Sequence, residues 1–63
     1  MISARVKQLR NKRGWTQEEL AIKAGISRVS VARIEAGMRK NPDLSTRKKL
    51  AKAFKVNIIK LLD

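Results

Sequence analysis

The strongest constraint on what this chain can fold into is one glycine. In "TQEELAIKAGISRVSVARIEAG", two helical patterns run up to Gly25 from either side. Only Gly25 and Ile26 separate the end of the first from Ser27, a good N-cap for the second. Thr16, with Glu19 three residues on, forms a capping-box sequence just ahead of apolar residues, so a helix starts there. Leu20, Ala21 and Ala24 give that helix its buried side, and the two alanines let another helix approach closely. Gly25 can take the left-handed conformation that stops it. Ile26, apolar in a turn, plugs the angle between the two helices. The next helix runs from about Ser27 to Ala36 and ends at Gly37. At about 100° per residue, Val31 and Ile34 share one side. Arg28, Val29, Ala32, Arg33 and Ala36 cluster on the other.

The rest of the chain also reads as helix. Ile2, Val6 and Leu9 recur at spacings of four and three, with Arg5, Lys7, Lys12 and Arg13 elsewhere on the wheel, and Gly14 suits the C-terminal end of this first helix. "MRKNPD" is a loop, marked by Asn-Pro. "LSTRKKLAKAFK" is a fourth helix with Ser45 or Thr46 near its start and Leu50, Ala53 and Phe54 facing the core. Asn57 caps a short last helix, "IIKLL". The expected architecture is all-α: five short helices around one core, in a single domain over residues 1–63, without long linkers, repeats or low-complexity segments.

Composition narrows the chemistry. The chain has no cysteine and no histidine, which removes disulfides, Cys-ligated zinc, the commonest metal ligand and the commonest general base. Only five carboxylates remain, so an enzyme is a poor expectation, and neither a cofactor, a metal nor a small-molecule ligand is expected. Sixteen Lys and Arg leave a net charge of +11. Such self-repulsion points to a polyanionic partner, nucleic acid first and an anionic membrane surface second, while a heavily solvated surface accounts for the charge equally well. No stretch approaches the length of apolar residues needed to span a bilayer, and "MISARVKQLRNKR" lacks the apolar run of a secretory signal. A cytoplasmic location is therefore the default.

Two short helices joined by a Gly-containing turn of three to four residues are the sequence picture of a helix-turn-helix. The stretch "LRNKRGWTQEELAIKAGISRVSVARIEAGMRKNPDLSTRKKLAKAFKV" resembles the phage repressor and Cro-like (Xre-type) helix-turn-helix family almost without gaps. The resemblance covers nearly the whole chain, from Val6 to Leu62, and its most specific pieces are "TQEELA", "AGIS", "IEAG" and "NPDLST". It implies a lambda-repressor-like fold and sequence-specific binding of double-stranded DNA as a homodimer. It also implies a role as a repressor-type transcriptional regulator.

On that reading the second helix of the motif, about 27–36, enters the major groove, where each base pair shows its own donor and acceptor pattern. The base-contact expectations are Ser27, Arg28, Val29, Ala32 and Arg33. Each arginine can fork onto guanine O6 and N7, Val29 and Ala32 suit a thymine methyl, and Ser27 can bond a base or a phosphate. Arg33 is the better placed for sequence readout, whereas Arg28 can serve a phosphate instead. By resemblance Gln17 holds a phosphate, helped by backbone N–H groups at its helix start. Ser30, Arg39, Lys40 and Arg10 complete the phosphate set. Glu18 and Glu19 suit the positive end of the helix dipole and are structural. The resemblance further implies an ion pair between Arg10 and Glu35. Among the apolar residues at the C-terminus, Ile58, Ile59 or both are expected in a dimer contact near the DNA two-fold axis, and Leu61 and Leu62 in a core seal.

Two positions depart from the family pattern. Arg47 stands where an apolar residue is common, and Lys55 where a glycine often ends the fourth helix; with Lys48, Lys49 and Lys52 they make that helix unusually basic. Ending at Asp63, the sequence is either a fragment of a longer repressor or a complete small regulator. The rival functions are a protein-interaction module that keeps the fold, such as an antitoxin or anti-repressor partner, and a membrane-surface peptide.

Overall fold

The computed structural model describes residues 2–37 and 43–61. Four α-helices follow in order: α1 (Ile2–Arg13), α2 (Gln17–Ala24), α3 (Arg28–Glu35) and α4 (Leu44–Phe54). A 3-10 turn, Ile58–Leu61, comes last. No strand occurs among the described residues. The expected fifth helix is thus a single 3-10 turn. Its short segment, opened by Asn57 Oδ1 accepting the Ile59 N–H at 3.0 Å, gives too few residues to repay α-helix nucleation.

The starts of α2, α3 and α4 are each fixed by a side chain. Thr16 Oγ1 accepts the Glu19 N–H at 3.0 Å, and the Thr16 N–H donates to Glu19 Oε1 at 2.8 Å, a complete capping box. Ser27 Oγ accepts the Ser30 N–H at 3.1 Å. At α4 the cap is Asp43, whose Oδ1 accepts the Thr46 N–H at 2.8 Å. The sequence expectation placed Ser45 or Thr46 near that start. Both lie there, in the first turn, and the cap is the earlier carboxylate, which complements the helix's positive end.

The ends of α1, α2 and α4 share one closure. The N–H of Trp15 donates to the Arg10 carbonyl, that of Ile26 to Ala21 and that of Val56 to Ala51, at 3.1, 3.0 and 3.0 Å. This pattern needs a left-handed residue just before the apolar one. At α2 it is Gly25, with φ 71°; at α4 it is Lys55, with φ 57°, the one positive-φ residue other than glycine among those described. Trp15, Ile26 and Val56 are each partly buried against the core, so every closure folds an apolar side chain back onto the domain.

The core is built from α1 (Ile2, Val6), α2 (Leu20, Ala21, Ala24), α3 (Val31, Ile34), α4 (Leu50, Ala51, Phe54) and Leu61 of the last turn. Helix α3 packs on α1 and α2, α4 packs on α2 and on the 3-10 turn, and that turn packs on α1. The ring of contacts is therefore closed without any long helix. No charged or polar residue is fully buried among those described. The sequence reading anticipated most of this core. Ala51 is buried where Ala53 was expected, and Leu9 lies at the core edge.

Candidate nucleic-acid interface

The turn at Gly25 sets α3 against α2 with its inner side fully buried: Val31 and Ile34 have no exposed surface. Its outer side carries Arg28, Val29 and Arg33, all exposed, and the half-buried Ala32. A helix of eight residues is about 12 Å long, close to the width of the B-DNA major groove. Neither Arg28 nor Arg33 has an ion-pair or hydrogen-bond partner among the described residues. Both guanidinium forks are thus available to a ligand, and a guanidinium is the side chain best matched to two acceptors in a plane. At the head of α3, the Ser27 and Ser30 hydroxyls bond each other at 3.0 Å.

The far end of α3 is pinned. Arg10 Nε donates to Glu35 Oε2 at 2.6 Å and its Nη2 to Oε1 at 3.0 Å, a bidentate ion pair. The two side chains are 13% and 4% exposed, so the pair works in low dielectric. Arg10 Nη1 donates to the Trp15 carbonyl at 2.7 Å. Gln17 Nε2 donates to Glu35 Oε1 at 3.2 Å. One carboxylate therefore ties the last residue of α3 to α1 and to the first residue of α2. The hydrogen bond to Glu35 raises the Arg10 guanidinium above its ordinary value, partly offset by burial, so its charge is retained wherever the domain is folded. All three Arg10 nitrogens donate inside the domain, which turns this guanidinium away from the phosphate role expected of it.

The other expected residues divide as follows. Gln17 is half-buried at the start of α2, on the same side as the end of α3, its amide nitrogen on Glu35. Arg39 and Lys40 lie outside the described residues. Glu19 belongs to the capping box and Glu18 sits exposed in the first turn of α2. The proposed dimer pair separates: Ile58 is partly buried against the core, whereas Ile59 is 68% exposed.

One cluster escaped the sequence reading. The Trp15 and Phe54 rings stack at 5.6 Å between centroids, 10° from parallel. The Arg13 guanidinium lies 5.6 Å from the Trp15 centroid, and Lys23 Nζ 5.0 Å from it. Arg13 also donates to the Phe54 carbonyl. The available signal was Trp15 directly after the expected helix end at Gly14, where the closing turn folds an apolar side chain inward.

Two short helices at a glycine turn, the second buried on one side and bare of partners on the other, define the class: a helix-turn-helix domain. The sequence matches the helix-turn-helix family over residues 6–61, and the chain belongs to it. Among curated proteins it is similar to the HTH-type transcriptional regulator SinR of Bacillus subtilis, 35% identical over the whole chain. It spans 57% of that protein, little more than half. It is also similar to an uncharacterized HTH-type transcriptional regulator of Archaeoglobus fulgidus, 41% identical over 86% of this chain and 76% of that one. Among solved structures, a crystal structure of SinR, described as the master regulator for biofilm formation, in complex with DNA superposes with a TM-score of 0.94. Its identity is 35%, and all of both chains is covered. The restriction-modification controller protein C.AhdI of Aeromonas hydrophila superposes with a TM-score of 0.89 at 34% identity, over 97% of this chain and 91% of that one.

Proposed function

We infer that this chain is the DNA-binding domain of a repressor-type transcriptional regulator, with α3 seated in the major groove of a specific double-stranded site. The observation that carries this reading is the pairing of a rigid inner side with two unpartnered arginines outside. The Arg10–Glu35–Gln17 network fixes where α3 points, and Arg28 and Arg33 have no ion-pair or hydrogen-bond partner among the described residues. The likeness to a SinR structure solved with DNA supports it.

Arg33 reads a guanine edge, Val29 and Ala32 meet thymine methyl groups, and Arg28 and Ser27 serve a base or a phosphate. Gln17, Ser30 and the basic pair Arg39 and Lys40 hold phosphates, which position the protein without reading sequence. Gln17 keeps a second N–H beyond the Glu35 bond, and it stands at the start of α2, where the first backbone N–H groups of a helix suit an anion. Two copies bind a two-fold symmetric operator, with the exposed Ile59 at their contact and Ile58 bracing it from the core side. The chain acts in the cytoplasm; among the described residues no helix is long and apolar enough to cross a membrane.

Selection of sites from random duplex DNA at one fixed salt concentration tests this. A symmetric motif with half-sites about one helical turn apart is the expected result. Binding that falls steeply with salt but yields no motif would overturn sequence-specific recognition and leave only counterion release.

A further inference from the structure

The Trp15 cluster lies in the wall of an open groove of about 690 Å³ between the end of α1, the C-terminal half of α2 and the C-terminal half of α4. None of its lining residues is among those assigned to DNA. Five cations converge on it: Arg13, Lys23, Lys49, Lys52 and Lys55. No acidic residue lines it among the described residues. Its remaining side chains are apolar: Trp15, Ala24, Ala53 and Ile22, the last 75% exposed at the rim.

We propose that this groove is a docking site for an acidic peptide segment of a partner protein that carries apolar anchor residues. Charge complementarity carries the argument. Five like charges around one depression repel one another, and the described lining offers no carboxylate to relieve them, so the countercharge comes from outside. The apolar floor then selects the kind of polyanion. A phosphodiester backbone has nothing to place against Ile22, Ala24 and Ala53, whereas a Leu or Phe side chain does. A stacked nucleobase is disfavoured, because the Trp15 ring is already engaged by Phe54 at 5.6 Å and by Lys23 at 5.0 Å. A segment of roughly ten to twelve residues in helical form, about 15–18 Å long, matches a domain 23 Å across.

Trp15 is the one tryptophan in the chain, so its emission reports the groove directly. The probe is a twelve-residue peptide rich in Asp and Glu with two Leu and one Phe. It is titrated beside an equally charged peptide lacking apolar residues and a single-stranded oligothymidine of matched charge. The expected result is a saturable change in Trp15 emission with the first peptide, and amide shifts on α2 and α4 rather than α3. The double variant K49E/K52E should weaken it about tenfold or more, and Ile22→Ala about threefold. These are exposed positions, and amide spectra establish that each variant is folded. Equal affinity for the peptide without anchors, or shifts centred on α3, would overturn the site. Tighter binding of the oligothymidine with the same Trp15 response would overturn the peptide assignment and give the groove to a nucleic-acid strand.

Discussion

The molecule turns the same corner after α1, α2 and α4, and the last two lead to different outcomes. Helix α2, Gly25, Ile26 and Ser27 lead into α3; helix α4, Lys55, Val56 and Asn57 lead into the 3-10 turn. In both, a left-handed residue stops a helix, an apolar residue plugs the angle and a polar side chain opens the next element. The outcomes differ. The first corner delivers an eight-residue helix with a bare outer side; the second delivers one turn of 3-10 helix that seals the core through Leu61. Local punctuation makes a corner but not an interface. What separates them is the carboxylate at the end of α3, which ties that helix to two others, and the pair of arginines left without partners.

The largest expected effect comes from cutting that tie. Glu35→Ala strands the Arg10 guanidinium in a site where it is 13% exposed, and removing one member of such a pair costs on the order of 3–5 kcal/mol. A domain of this length has about 3–9 kcal/mol in total, so the variant should be largely unfolded on warming. Glu35→Gln keeps an acceptor for Arg10 and should lose less. An unchanged melting temperature in Glu35→Ala would remove the main difference between the corners.

Arg33→Ala probes the outer side of the first corner. It should weaken binding to the selected site by roughly 1–3 kcal/mol and relax preference at one base position. Folding stability should change by less than about 0.5 kcal/mol, since the side chain is exposed and has no hydrogen bond or ion pair among the described residues. A drop in melting temperature alone would return Arg33 to the scaffold. Gln17→Ala sits between these cases. Losing its bond to Glu35 should cost roughly 0.5–1.5 kcal/mol of stability, and affinity should fall about equally for specific and unrelated duplexes, as for a phosphate contact. Loss of preference at a single base position would make Gln17 a reader instead.

How much of this was legible in the sequence follows the range of the forces. The first corner was readable because its chemistry is local: a capping box, a glycine and a serine within twelve residues. The Arg10–Glu35 pair was readable only through resemblance, since no periodicity links residues on different helices. The start of α4 was degenerate, because Asp43, Ser45 and Thr46 can all cap, and the structure uses Asp43, with the helix beginning at Leu44. The groove at Trp15 was not readable at all. It joins residues from both ends of the chain, and its lysines look like solvated surface until α2 and α4 bring them to one place. The split between Ile58 and Ile59 depends on a 3-10 rather than an α-helical rotation of the last turn, which a segment of four apolar-rich residues does not announce.

The smallest expected effect compares the two corners directly, by exchanging their left-handed residues. Lys55 holds φ 57° and ψ 43°; Gly25 holds φ 71° and ψ 33°. A side chain in this region costs about 1–2 kcal/mol, while glycine there loses roughly 0.5–1 kcal/mol more chain entropy on folding. Lys55→Gly should therefore stabilise by about 0.5 kcal/mol, a rise of roughly 2–4 °C in melting temperature for a domain this small. Gly25→Lys should destabilise by a similar amount, because an added Cβ there meets no atom within 4 Å and only the backbone conformation opposes it. Equal and opposite shifts would mean that the two corners are interchangeable in local energetics. A much larger loss at Gly25 would mean that α3 depends on its turn in a way the 3-10 turn does not. DNA affinity of the folded Gly25→Lys variant would then show whether that dependence fixes the angle at which α3 is presented.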